Sequence, residues 1–322
     1  MPQEQLPSIL HSPESLRTLT LKDGRKVSLS LCGDPTGRPV FFLHPIQGNR
    51  FMPLTMHKAA SSLQLNIIAP DRPGIGSSSP LPCRTVQQYP ADIAEICQQL
   101  GIKQFSVMAS SAGTLYALAL TLAPETRDMI VGKVTLVAPW LPPSSRPPGF
   151  GGLLALLGGW TPLPLLQAFV GFTNSRVVAQ SRTRPVTDLM TRSNAQEVAA
   201  FAADPGNDAI YKAMINEWTG SLAGIMQQMQ LCMERSNPLH FNYCQDITAP
   251  IRVFMGTADA VMVYSHVQHW AQHAAAGNVE LITVEGGTHD GLMHTHKTAA
   301  IEALAADLQQ HRKLRCLCAI AG

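Results

Sequence analysis

The chain has 322 residues, of which 45% are hydrophobic and 14% are charged, so it can bury a sizeable core as one large domain or as two. Its 24 basic and 22 acidic residues nearly balance, which gives no electrostatic basis for a nucleic-acid partner. The seven cysteines are scattered rather than arranged as a disulfide framework, and the N-terminal residues lack the pattern of a secretory signal. We therefore expect a cytoplasmic protein.

Strands and helices alternate along most of the sequence, starting with two strands joined by a turn at Asp23-Gly24. The pattern predicts strands at 17–21, 26–31, 65–69, 105–108, 132–138, 251–255 and 279–284, and helices at 86–100, 115–122, 266–275 and 298–311. Such alternation is typical of a mostly parallel sheet covered by helices. We therefore predict an α/β fold with a mostly parallel central sheet flanked by helices.

The alternation stops over residues 140–245, and we interpret this segment as an inserted helical cap on a core domain formed by residues 1–139 and 246–322. Residues 147–175 carry no charge, but prolines and glycines interrupt the run. Two short helices broken near residues 160–162 therefore fit better than a stable membrane span. This surface either packs on the core or forms an apolar roof over a pocket.

A turn of small residues, 109–114, connects a predicted strand to a predicted helix. This is the context of a nucleophile elbow, in which a sharp turn requires small neighbours and lifts a serine clear of the sheet. Ser111 fits that position better than Ser110, because only Ser111 has small residues, Ala109 and Gly113, two positions away on both sides. Taken alone, the same turn is also compatible with a tight joint that has no chemical role.

Two further polar residues follow predicted strands in the C-terminal part of the chain. Asp259 follows the strand at 251–255, and His289 follows the strand at 279–284. Asp290 is an alternative acid, but a residue adjacent to His289 cannot easily orient the imidazole. The chain order is therefore serine, acid, histidine, as in α/β-hydrolases and unlike the orders of chymotrypsin and subtilisin.

Two upstream loops complete the pattern. The segment 44–50 reads His-Pro-Ile-Gln-Gly-Asn-Arg after a strand, and the segment 71–78 reads Asp-Arg-Pro-Gly-Ile-Gly-Ser-Ser. The second segment matches D-x-P-G-x-G-x-S at every fixed position. With the elbow and the two later loops, the chain resembles the α/β-hydrolase superfamily over about residues 16–310, and among its branches the cap-bearing serine hydrolases.

The resemblance implies roles for individual residues. Ser111 would be the nucleophile, His289 the general base, and Asp259 the acid that orients the histidine. The backbone N–H groups of Ile46 and Ala112 would form the oxyanion hole. The chain departs from the family pattern at the 44–50 loop. Position 45 has a proline where the family usually has a glycine, and position 47 has a glutamine where the family often has a proline. A proline has no N–H, but the N–H of Ile46 is retained.

The chemistry expected from these residues is cleavage of an ester, lactone or thioester of an apolar small molecule. Two alternatives remain open, namely C–C bond hydrolysis, lyase or cyclase chemistry on the same scaffold, and ligand binding without catalysis. The cap-bearing hydrolases that tailor polyketides are the group that the chain resembles in outline. Candidate substrate-binding residues are His44, Gln47, Ser110, Trp140, Met226 and Met229.

No cofactor is expected for this chemistry. Several histidines cluster near the C-terminus, but no cysteine or carboxylate joins them at the spacing of metal ligands, so we predict no metal site. Exposed helix histidines are the ordinary interpretation of such a cluster. The sequence leaves the oligomeric state undetermined.

Overall fold

The computed structural model of the chain describes residues 8–146, 161–235 and 239–321, with side chains up to residue 310 in the last helix. Its described strands form one eight-stranded sheet of order β1-β2-β4-β3-β5-β6-β7-β8. They are β1 (Leu16–Thr20), β2 (Lys26–Gly33), β3 (Arg38–Leu43), β4 (Leu65–Pro70), β5 (Ser106–Ser110), β6 (Val134–Val137), β7 (Ile251–Gly256) and β8 (Val279–Val284). Strand β2 pairs antiparallel with both β1 and β4, and all later pairs are parallel.

The helices alternate with the strands except in one region. They are α1 (His57–Ser62), α2 (Tyr89–Leu100), α3 (Gly113–Leu122), α4 (Leu163–Ser181), α5 (Ala195–Ala202), α6 (Gly206–Asn216), α7 (Leu222–Cys232), α8 (Tyr264–His273), α9 (Leu292–Thr295) and α10 (Lys297–Ala321). Four of them, α4–α7, lie between β6 and β7 in the chain, and we call them the inserted helices. The predicted α/β fold with a mostly parallel sheet is confirmed.

The central strands of the sheet are buried on both faces, as is usual for parallel strands covered by helices. Along β3, Phe41 packs into an apolar cluster with α2, α3 and α8, whereas Phe42 packs into a second cluster with α1 and α10. Strand β5 alternates in the same way, with Val107 on the first face and Met108 on the second. This alternation puts every residue of β5 in the interior, and its C-terminal end opens directly into the predicted elbow.

The inserted helices contact the core through close backbone approach and polar side chains. A Cβ atom on Gly224 of α7 would overlap the carbonyl oxygen of Gly74, so only glycine allows this contact. The hydroxyl of Ser221 accepts a 2.9 Å hydrogen bond from the N–H of Gly76, and Gln227 donates a 3.0 Å hydrogen bond to the carbonyl oxygen of Leu81. The 71–78 segment therefore serves as a platform for α7.

The helix that follows Pro162 in the insertion is longer than the short helix that the sequence predicts. Helix α4 begins directly after Pro162, as expected for the second of two helices, but it continues for 19 residues to Ser181. The first of the two predicted helices lies outside the described residues. Over the described parts of the chain, no helix combines the length and the apolar character needed to cross a bilayer.

Candidate active site

Ser111 lies in a strained turn between β5 and α3. Its backbone has φ +49°, a conformation that residues other than glycine seldom adopt. The N–H of Ser111 donates a 3.1 Å hydrogen bond to the carbonyl oxygen of Val137 on the neighbouring strand β6. A Cβ atom on Gly113 would overlap the carbonyl oxygen of Leu43, so glycine is required where α3 begins. The elbow is therefore held by the two strands that flank β5.

Three polar side chains meet at the C-terminal edge of the sheet. The Nε2 atom of His289 lies 2.8 Å from Oγ of Ser111, and its Nδ1 atom lies 2.7 Å from Oδ2 of Asp259. The other carboxylate oxygen of Asp259 accepts 2.8 Å hydrogen bonds from the N–H groups of Val261 and Met262. Because Nδ1 faces a carboxylate, the network assigns the proton to Nδ1 and leaves Nε2 free to accept the serine proton.

The carboxylate in this chain of contacts is shielded from water. The Asp259 side chain is fully buried, and the His289 side chain is 10% exposed. Ser111 is 8% exposed. Electrostatic interactions are stronger in such a setting than in water.

The 44–50 loop lies beside the elbow. A Cβ atom on Gly113 would come within 3.1 Å of the carbonyl oxygen of His44, so the loop and the start of α3 are in direct contact. Across the described residues, the backbone N–H groups of Ile46 and Ala112 donate to no acceptor. Two N–H groups without acceptors on adjacent segments are what an anion-binding hole requires.

Arg72 holds the peptide that carries the Ile46 N–H. Its Nη2 donates a 2.9 Å hydrogen bond to the carbonyl oxygen of Pro45, and its Nη1 donates a 2.7 Å bond to that of His44. The Nδ1 atom of His44 lies 2.8 Å from the same Pro45 oxygen. Because the Pro45–Ile46 peptide is trans, the Ile46 N–H points away from these two side chains.

His44 and Arg72 are both fully buried. Burial and the positive charge of Arg72 lower the pKa of His44 well below its usual range, so the ring is neutral and Nδ1 can donate to Pro45. Arg72 forms no ion pair with a carboxylate of the described residues. It contacts instead the Oε1 atom of Gln228 on α7 and the ring of Tyr116, 4.6 Å from its guanidinium carbon.

Comparison with known protein families identifies the family of the chain. Residues 40–305 match the alpha/beta hydrolase family. The chain belongs to that family. The matched range contains both upstream loops, the elbow and the later acid and histidine loops.

Individual relatives of this alpha/beta hydrolase have varied activities. A proline iminopeptidase from Xylella fastidiosa is 28% identical over 127 residues, which are 38% of this chain and 40% of that protein, so the match covers less than half of the relative. An esterase from Exiguobacterium antarcticum aligns with a TM-score of 0.64 at 17% identity, over 90% of this chain and 98% of the other. An enol-lactonase from Burkholderia xenovorans aligns with a TM-score of 0.60 at 16% identity, over 91% and 100% of the two chains. These structural likenesses show the fold.

The remaining predicted substrate-binding residues of the alpha/beta hydrolase occupy different places. Gln47 donates a 2.9 Å hydrogen bond to Asn174 of α4. Trp140 donates from its N–H to the carbonyl oxygen of Ser111 at 3.1 Å and from Nε1 to the carbonyl oxygen of Cys232 at 2.9 Å. Ser110 ends β5 and is buried.

Met226 and Met229 lie on α7, where they belong to a small apolar cluster that also includes Ile46. The buried members of this cluster are Ile75, Val170, Ile225 and Met226, and Ile46, Leu166, Trp218, Leu222 and Met229 pack against them. The cluster therefore extends from the predicted oxyanion loop to α4 and α7. Met233 lies just beyond the end of α7.

Sequence reasoning missed the polar residues that connect these parts. Arg72 lies two residues after the end of the buried strand β4, and its charge at that place is a signal that could have been used. Glu197 on α5 completes a capping box with Asn194, a pattern visible in the sequence as Asn-x-x-Glu. Neither pattern indicates which distant segment the side chain contacts.

Proposed function

We propose that this alpha/beta hydrolase cleaves an ester, lactone or thioester of an apolar small molecule through an acyl-enzyme on Ser111. The observation that carries the proposal is the continuous hydrogen-bond chain from Ser111 through His289 to the buried Asp259. A serine hydroxyl needs such a base at neutral pH, and the base needs a partner that holds its tautomer.

The proposed reaction has two halves. The Oγ atom of Ser111 attacks the substrate carbonyl carbon while Nε2 of His289 takes the hydroxyl proton. The tetrahedral intermediate collapses, the carbon–oxygen or carbon–sulfur bond of the leaving group breaks, and His289 returns the proton to that group. A water molecule then attacks the acyl-serine while Nε2 of His289 takes its proton. The bond between the acyl carbon and Oγ of Ser111 breaks, His289 returns the proton to Oγ, and the carboxylic acid is released. Asp259 stabilises the imidazolium formed in each half.

The negative charge of the tetrahedral intermediate would be bound by the N–H groups of Ile46 and Ala112. Arg72 supports this assignment, because a cation that donates to the Pro45 carbonyl polarises the peptide that ends in the Ile46 N–H. We therefore assign His44 to the support of this peptide rather than to direct substrate contact. A proline at position 45 is compatible with an oxyanion hole here, since residue 45 contributes only its carbonyl oxygen and the N–H comes from Ile46.

The apolar substrate class rests on the cluster beside Ile46. Methionine side chains adapt to irregular apolar ligands, and Met226 and Met229 lie on the inserted helix that approaches this loop. The inserted helices would act as the cap over the acyl group. A polyketide-derived acyl group is the more specific hypothesis, from the resemblance to cap-bearing tailoring hydrolases.

Labelling with a fluorophosphonate followed by intact and peptide mass spectrometry tests the proposal. We expect one adduct, on Ser111, in the wild type and in Ser110→Ala, and none in Ser111→Ala. Absence of an adduct on folded wild-type protein, or an adduct that persists in Ser111→Ala, would overturn it. A series of p-nitrophenyl esters then measures acyl preference, and kcat/KM is expected to rise from acetate to longer acyl chains.

A further inference from the structure

A buried glutamate on the inserted helices reaches the loop that carries His289. Glu197 is 1% exposed and lies on α5. Its carboxylate accepts a 2.8 Å hydrogen bond from the backbone N–H of Thr288 and a 2.7 Å hydrogen bond from the hydroxyl of the same residue. Thr288 immediately precedes His289 in the chain.

The contact is closely packed. A Cβ atom on Gly291 would overlap the Glu197 carboxylate, so the loop of residues 286–291 passes the carboxylate on both sides of His289. Asn194, the N-cap of α5, donates a 3.0 Å hydrogen bond to the carbonyl oxygen of Gly286 at the start of this loop. The inserted helices therefore contact residues 286–291, which we call the histidine loop, at three points.

We propose that Glu197 is a positioning residue for His289, so that the inserted helices hold the general base in reach of Ser111. The inference rests on the proposed function, because it gives His289 the role of base. Glu197 itself bonds to none of the three residues of the proposed triad, and its influence passes through the backbone and hydroxyl of Thr288.

A role in helix capping alone does not account for these contacts. The capping box requires that Glu197 accept from the N–H of Asn194, which it does at 2.8 Å. The two bonds to Thr288 are additional, and over the described residues no lysine or arginine forms an ion pair with the carboxylate. Burying a carboxylate without such a cation is unfavourable unless its oxygens are hydrogen-bonded, so these bonds stabilise its position beside the histidine loop.

The expected consequence is kinetic. A displacement of about 1 Å at a reacting group can cost about 100-fold in rate. We therefore expect Glu197→Ala to slow fluorophosphonate labelling of Ser111 by about 10- to 100-fold. Glu197→Gln should have an intermediate effect, because its amide oxygen can still accept from the Thr288 N–H. With p-nitrophenyl butyrate, kcat should fall while KM stays within about twofold, since removal of a group that acts on the transition state lowers kcat without weakening substrate binding.

Asp204→Asn is the matched control. Asp204 also joins the inserted helices to the core, through a 3.0 Å ion pair with Lys58, but it has no contact with the histidine loop. This variant should label at the wild-type rate. Thr288→Val provides a second test that leaves α5 intact, and it should slow labelling. Because the Thr288 hydroxyl also accepts a 3.2 Å hydrogen bond from the N–H of Gly291, the link to Glu197 is tested by the combination, and adding Glu197→Gln to Thr288→Val should slow labelling little further.

The outcomes separate the inference from the proposed function. If wild-type Ser111 is not labelled, the proposed function fails. If wild-type Ser111 is labelled, and Glu197→Ala and Thr288→Val label at the wild-type rate, the proposed function stands and the inference is wrong. Thermal unfolding of each variant completes the test. If Glu197 were purely structural, Glu197→Ala would lower the melting temperature, but the folded Glu197→Ala and Thr288→Val proteins would both label at the wild-type rate.

Discussion

The two loops that bring Ser111 and His289 together are held by different parts of the molecule. Ser111 follows the central strand β5, and its turn is bonded to β6 and packed against β3. His289 follows β8 at the edge of the sheet, and its loop is bonded to Glu197 and Asn194 of the inserted helices. Ser111 is therefore positioned by the core, whereas the loop of His289 is held both by the insertion and by the segment after β7, where the N–H of Ala258 donates to the carbonyl oxygen of Gly287.

Because the two loops are held differently, we expect substitutions near Ser111 and substitutions near His289 to affect different properties of the protein. A change at the elbow disturbs buried backbone and should appear as lost stability. A change around the histidine should leave the sheet intact and appear as lost reactivity. An insertion of this kind can vary without altering the strand that carries Ser111.

The largest effect should come from His289→Ala. Without the imidazole no group removes the serine proton, and in a comparable triad this loss costs about a million-fold in kcat. Fluorophosphonate labelling of Ser111 should fall to background, while the urea midpoint of unfolding stays close to that of the wild type. His273→Ala, at an exposed histidine on α8, is the control. Labelling that survives in His289→Ala would show that the serine is activated by another group.

Asp259→Asn should have the next largest effect. An amide at this position favours the wrong imidazole tautomer, and the corresponding change in a serine protease costs about 10,000-fold in kcat. The rate of p-nitrophenyl butyrate hydrolysis measures it. Asp290→Asn is the matched control, because Asp290 is exposed and neighbours the same histidine. A larger loss in Asp290→Asn than in Asp259→Asn would exchange the roles of the two carboxylates.

The sequence predicts the core of this site because each key residue follows a strand. Strands β5, β7 and β8 are parallel and end at one edge of the sheet, so Ser111, Asp259 and His289 are brought near each other by topology alone. Small residues around the elbow identify its position, since they are required locally.

The contacts made by the insertion are not visible in the same way. Arg72 meets Gln228 across 156 residues, and Thr288 meets Glu197 across 91 residues. Hydrophobic periodicity indicates which face of a helix is buried but not which polar group it meets. The contact of Arg72 with His44, from which we infer a supporting role for His44, is of the same kind, because the sequence does not show it. The end of α4 was also missed, although Val170, Asn174, Val178 and Ser181 form a helical face that continues past the uncharged stretch.

Gly113→Ala tests the core side of the comparison. The added Cβ would meet the Leu43 carbonyl oxygen, which is backbone and cannot move cheaply, so we expect a loss of about 3 kcal/mol in the free energy of unfolding. Urea unfolding followed by circular dichroism measures it. Gly220→Ala is the control, because a Cβ there meets nothing closer than 3.8 Å. Equal stability of the two variants would show that the elbow is not held by β3.

The smallest effect concerns pH, on the histidine side. His294 lies on α9, where its ring contacts the rings of Phe201 and Tyr211 from the inserted helices, and Lys297 is the charged group nearby. Burial lowers the pKa of His294 from 6.5 to about 3. Below pH 6.5 the unfolded chain therefore binds a proton that the folded chain does not, so stability is complete above that pH and is lost as pH falls toward 3. The loss approaches about 1.4 kcal/mol per pH unit at lower pH and is about 1.6 kcal/mol between pH 6.5 and 5. Urea unfolding at pH 6.5 and at pH 5 measures the loss in the free energy of unfolding between the two pH values. This loss should be smaller in His294→Gln, by the amount given above, than in the wild type or in the control His273→Gln. An unchanged pH dependence in His294→Gln would mean that the contact between α9 and the inserted helices admits a charged ring, and that this side of the site is looser than its packing indicates.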